Sequence, residues 1–158
     1  MRVRSLSSAV LVCTASLALS TAAGVARAQG QCSFLKPIGG GGGPWVQKRI
    51  SADRVVGSTN WNTDFVVDRG FASYRVNFQS LSTGRGTFPL AVFLRFTDGS
   101  NLQLLNQNPA LDPQETRRFG PFPSVSGKRS SLVNVKVGSS RMPGSTGFSY
   151  RVSVEGCN

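Results

Sequence analysis

The acidic side chains of this 158-residue chain are Asp53, Asp64, Asp68, Asp98, Asp112, Glu115 and Glu155, and there is no histidine. Without histidine, the Ser-His-Asp and Cys-His nucleophile arrangements and the commonest zinc ligand are all absent. The catalysis still open is that of a glycosidase, which needs two carboxyl groups about 5–10 Å apart across a sugar. No spacing among the seven acids singles out such a pair. Asp64 and Glu155 qualify only if their strands are neighbours. The expectation is therefore a protein without catalytic residues, resident metal or cofactor, with carboxylate-dependent glycan processing as an alternative.

Three further groups invite a chemical reading. In "TNWNTDF", Asn60, Asn62 and Asp64 fall on one side of an extended chain, as alternating oxygen ligands of a weak cation site would. Calcium loops carry more carboxylates and a glycine at the sixth position, where this stretch has Phe65. The competing reading is a strand entry whose Asn and Asp side chains cap nearby backbone groups. Trp45 and Trp61, the two tryptophans, would stack on sugar rings if exposed, whereas burial in a core is their more frequent fate. Arg75, Asn77, Gln79, Arg95, Asn134, Lys136 and Arg151 all occupy the polar side of alternating segments. They form one basic, amide-rich ligand face if their strands share a sheet.

The five glycines Gly39–Gly43 raise the question of a phosphate loop. Such a loop feeds backbone N–H groups into a helix that opens with Lys and Ser or Thr. Here Pro44, which has no N–H, and the strand-like "WVQKRI" follow instead. The segment reads as a flexible tether joining "CSFLKPI" to the first strand.

The elements that must position these groups are strands. "ASYRVNFQ" sets Ala72, Tyr74, Val76 and Phe78 against Ser73, Arg75, Asn77 and Gln79. "FSYRVSVE" and "LVNVKV" repeat the alternation, which marks antiparallel sheet with one buried and one exposed face. Turn-rich stretches such as "STGRGTFP" and "SSRMPGSTG" separate the runs. Seven or eight short strands predict an all-β antiparallel sandwich or jelly roll. In "LAVFLRFTDGSNLQLL", a three-residue loop Thr97-Asp98-Gly99 pairs Leu94 with Leu102, Val92 with Leu104 and Arg95 with Asn101. A two-residue loop would mix the faces, so the longer one is expected, with Gly99 in a left-handed conformation.

The N-terminus reads as an export signal. Arg2 and Arg4 precede an uncharged, apolar or small stretch from Ala9 to Val25, and Ala26-Arg27-Ala28 fits a cleavage site. Residues 1–28 would be removed, and Cys13 with them. Val12 is not the small residue a lipoprotein cleavage would need before that cysteine. The mature chain keeps 15 Lys or Arg against 7 Asp or Glu, a net charge of +8, and has no stretch long enough to span a bilayer. Residues 29–44 form an N-terminal segment and tether, and 45–158 the sandwich. The surviving Cys32 and Cys157 form one disulfide in an oxidising compartment.

A periplasmic or secreted binding or structural module of the cell envelope or matrix is the main functional expectation. Its basic charge favours acidic partners, such as an anionic polysaccharide, lipid A phosphates or another envelope polymer, and not nucleic acid. The rival is an envelope assembly factor or subunit that meets another protein through strand edges or the glycine segment.

Overall fold

A computed structural model of the chain describes residues 30–39, 41–53 and 59–158. The predicted signal segment, with Cys13, lies outside the described residues. The fold is an all-β sandwich of twelve antiparallel strands, eight of them four residues or longer, with one turn of 3-10 helix at Pro143–Ser145. The strands are β1 (Cys32–Phe34), β2 (Lys36–Pro37), β3 (Val46–Arg49), β4 (Asn62–Val66), β5 (Ser73–Ser80) and β6 (Gly86–Thr87). They continue with β7 (Leu90–Phe96), β8 (Asn101–Gln107), β9 (Ala110–Leu111), β10 (Thr116–Pro123), β11 (Ser130–Val137) and β12 (Ser149–Cys157).

The first sheet runs β1-β12-β5-β10, with β3 pairing the other half of the β12 edge. The second runs β2-β4-β11-β7-β8, and β6 with β9 makes a small separate ribbon. Period-two alternation explains why these segments are strands and how they stack. Tyr74, Val76 and Phe78 of β5 and Tyr150, Val152 and Val154 of β12 face inward from the first sheet. Phe65, Val133, Val135, Leu90, Val92 and Leu94 face them from the second, and none of these twelve is more than 1% exposed. The Phe78 ring stacks on Tyr150 and meets Phe88 edge-on, each at 5.2 Å between centroids. Such pairs add about 0.5–1.5 kcal/mol each beyond their burial.

The β7–β8 hairpin has the expected loop. Gly99 sits at φ +83°, its N–H bonds to the Phe96 carbonyl at 3.1 Å, and Leu94 pairs with Leu102 and Arg95 with Asn101. Beyond that the expectation fails, because Val92 pairs with Leu105 and not Leu104. Leu104 and Leu105 are adjacent, and a regular strand sends neighbours to opposite faces. A bulge absorbs the extra residue, so that both leucines pack against the core.

The N-terminal piece also differs from a tethered appendage. Cys32–Phe34 pairs with β12 in the first sheet, while Lys36–Pro37 pairs with β4 in the second. Leu35, buried between them, donates its N–H to the Val154 carbonyl at 2.8 Å. The sandwich therefore begins at Cys32 and not at Trp45. The glycine segment carries the chain back from the second sheet to the first, with Gly39 at φ +74° and Gly42 at φ +89°. Cys32 lies opposite Cys157 in register and is bonded to it.

Candidate functional site

The proposed ligand face does not exist as one surface. Arg75, Asn77 and Gln79 lie on β5 and Arg151 on β12, in the first sheet. Arg95 on β7 and Asn134 and Lys136 on β11 belong to the second, whose outer surface points the opposite way. Alternation assigns a residue to the polar side of its own strand but says nothing of which sheet that strand joins. Asn77 and Asn134 are also 6% and 2% exposed, since both sit on inner strands with neighbours on either side. Their amides serve the protein itself: Asn77 donates to Ser153 Oγ at 3.3 Å, and Asn134 to Asp64 Oδ1 at 2.7 Å.

The outer face of the first sheet can be built row by row from the register. Arg118 of β10, Asn77 and Ser153 share one row, and Thr116, Gln79, Arg151 and Gln47 the next. Arg49 follows opposite Ser149. Three arginines on this face are held through Nε alone. Arg118 donates to Asn77 Oδ1 at 3.0 Å, Arg151 to Gln79 Oε1 at 2.5 Å and Arg49 to the Gly147 carbonyl at 2.7 Å. The described residues hold three ion pairs, Arg85–Asp112, Arg117–Glu115 and Lys128–Asp98, and none involves these arginines or Arg75. The Arg151 guanidinium lies 4.8 Å over the half-buried Trp45 ring. Of the anchored arginines, only Arg151 was legible in the sequence. Arg118 sits in "TRRFGPFP", where glycine and two prolines hide a strand whose register shifts between Phe119 and Phe122.

The other candidates resolve individually. Trp61 is 7% exposed and donates its indole N–H to the Ser51 carbonyl at 3.0 Å, so it packs in the core instead of offering a stacking face. The Asn60, Asn62 and Asp64 stretch is engaged by the protein's own cation. Lys48 Nζ reaches from β3 to the carbonyls of Asn60 at 3.2 Å and Asn62 at 2.6 Å. Burial holds its pKa below the ordinary lysine value, and the nearby Asp64 carboxylate pulls it part of the way back. Asn60 accepts from the Ser51 N–H and donates to the Arg49 carbonyl, which is the capping role.

Asp64 and Glu155 do not face one another: they occupy β4 and β12, in different sheets, on opposite outer faces. That separation removes the one carboxylate pair the sequence suggested. Asp98 and Glu115 are bound elsewhere in ways that favour the charged form. Hydrogen bonds from Ser100, then Lys128, bring Asp98 down to about 2, and the Asp112 N–H followed by Arg117 lowers Glu115. Carboxyls held ionised in this way are poor proton donors near neutral pH.

The outer face of the second sheet carries a polar groove of about 500 Å³. Phe93, Gln103, Asn106 and Lys136 line it from the strands, and the segment Gly138–Met142 forms one wall.

No protein-family model matches this chain, and no curated protein does. Among solved structures it is similar to a mutant of a family 29 carbohydrate-binding module complexed with cellulohexaose. That likeness has 8% identity and a TM-score of 0.39, over 82% of this chain and 92% of that one. Another similar structure is of CBM4, at 11% identity and a TM-score of 0.27, over 73% of this chain and 95% of that one.

Proposed function

We propose that this chain is an exported, non-catalytic binding module that holds acidic polymer of the cell envelope or matrix on the outer face of its first sheet. One observation carries the reading. Arg49, Arg118 and Arg151 are each fixed through Nε to a neutral oxygen, which leaves both terminal nitrogens of every fork without a partner among the described residues. A guanidinium fork matches a carboxylate, phosphate or sulfate in bidentate geometry. Anchoring it beforehand lowers the ordering cost of binding. Export rests on the N-terminal pattern, so the protein recovered outside the cytoplasm should begin at Gln29.

Salt separates this reading from docking of an envelope protein at the free strand edges β8 and β10. Raising ionic strength from about 0.01 to 1 M shortens the screening length from about 30 to 3 Å. In affinity electrophoresis, binding to a sulfated polysaccharide without uronic acid, such as dextran sulfate, should collapse over that range. It should also fall at least tenfold when Arg49, Arg118 and Arg151 are changed together to Ser. Retention that survives both salt and substitution would overturn the reading in favour of a protein partner.

A further inference from the structure

The groove on the second sheet is a separate feature, on the opposite side of the molecule from the arginine face. Its floor is made by β7, where Phe93 and Ala91 point outward, opposite Gln103 and Asn106 of β8 and Asn134 and Lys136 of β11. Phe93 is half-buried, and its ring is the one aromatic among the outward side chains of β4, β7, β8 and β11, which are otherwise amide, charged or aliphatic. The bulge at Leu104 underlies this layout. It keeps Leu105 in line with Val92 and so leaves Asn106, not an apolar residue, opposite Ala91 on the groove side.

The wall is held in place before any ligand arrives. The Gly138 N–H bonds to the Pro89 carbonyl at 2.9 Å, the Arg141 N–H to Ser139 Oγ at 3.1 Å and the Met142 N–H to the Ser139 carbonyl at 3.1 Å. Lys136 and Arg141 line the groove, and neither forms an ion pair with an acid of the described residues. The volume of about 500 Å³ falls within the range of small-molecule sites, roughly 300–1,000 Å³.

The Lys136 ammonium rests 5.5 Å from the centre of the Trp61 ring. An aromatic side chain, side-chain amides and two cations without an acidic partner share one concavity, which matches a pyranose ring that bears an anionic group. The ring's C–H face would pack on Phe93, its hydroxyls would meet Gln103 and Asn106, and its carboxylate would meet Lys136 and Arg141. We infer that this groove is a second binding site, for a uronic acid residue of an acidic polysaccharide, independent of the arginine face. With two sites back to back, one molecule would bridge two polymer chains.

The test uses the mature chain and oligogalacturonides of three to five units, titrated by calorimetry. Phe93→Ala and Lys136→Met should each weaken binding at least tenfold, whereas the triple Arg49, Arg118, Arg151→Ser variant should stay within twofold of the unsubstituted protein. Arg141→Ser, on the exposed wall, repeats the charge test without touching the sheet, and unchanged thermal unfolding confirms that each variant is folded. A neutral cello-oligosaccharide should bind at least tenfold more weakly. The inference is overturned by absent oligogalacturonide binding, by equal affinity for the neutral sugar, or by loss of binding in the arginine triple alone. The last result would leave the arginine-face reading standing and remove only this one.

Discussion

The two outer faces of the sandwich are built from the same kind of strand and end as different surfaces. The first sheet presents Arg49, Arg118 and Arg151 in rows across β3, β12, β5 and β10, with guanidiniums tied down by amides and a carbonyl. The second presents a walled groove, because the Gly138–Met142 segment rises beside β7 and a bulge re-aims β8. Alternation makes both faces polar. What lies across the strand ends, and where the pleat is interrupted, decides whether a face is open or concave.

Breaking the staple of the first sheet should have the largest effect. Changing Cys32 and Cys157 together to Ser opens a loop with a sequence separation of 125. In the chain-entropy model that costs roughly 4–5 kcal/mol, measurable by urea unfolding. Hydrogen exchange should accelerate first at β1 and the end of β12, and the groove side should respond only in the global transition. Uniform acceleration on both faces would mean that the two sheets do not open separately.

A change confined to the second face comes next. Gly138 has φ +123°, and an added Cβ would lie 2.6 Å from the Trp61 ring. Gly138→Ala should cost about 2–3 kcal/mol through backbone strain and overpacking. It should also displace the groove wall, weakening oligogalacturonide binding while the salt-sensitive retention on acidic polymer is kept.

The shared interior supplies a control. Thr63 is buried on β4, and its hydroxyl has no partner there. Thr63→Val should stabilise the protein by about 1 kcal/mol in thermal or urea unfolding, leaving binding at both faces unchanged. A loss of stability would show that this hydroxyl has a partner after all.

Asp98 should give the smallest effect, at the hairpin end of the second sheet. Its pKa is depressed to about 2, so the stability it contributes is fully present above the ordinary carboxylate range. That contribution disappears as pH falls through about 2. Asp98→Asn should therefore flatten the acid limb of the stability profile between pH 4 and about 2 without altering either face at neutral pH. An acid limb identical to that of the unsubstituted protein would assign the acid response to other carboxyls.

Much of the architecture was readable because period two is local. Val133, Val135 and Val137 against Asn134 and Lys136 mark a half-buried strand wherever it ends up, and that is how β11 folds. The Thr97-Asp98-Gly99 loop was equally local, because only one loop length keeps the faces consistent. β10 is not legible as a strand, since Gly120 and Pro121 interrupt its pattern. β1 and β2 are not legible either, because two- and three-residue strands carry no periodicity. Phe93 does not read as a binding residue from sequence, because an aromatic in an apolar run looks like core until its neighbours show that it points outward.

The sequence by itself determined the all-β class, the inward and outward sides of the longer strands, the pairing of Cys32 with Cys157 and the lack of histidine chemistry. Each depends on residue type or on neighbours within a few positions. Only the tertiary structure decided which strands share a sheet. That choice placed Arg95, Asn134 and Lys136 opposite Arg75 and Arg151, and put Asp64 and Glu155 on faces that never meet. It also brought Arg118 from β10 beside Asn77, and Lys48 from β3 against Asn60 and Asn62. Strand order depends on long-range pairing between segments of similar composition, and the period-two pattern is the same whichever partner a strand takes.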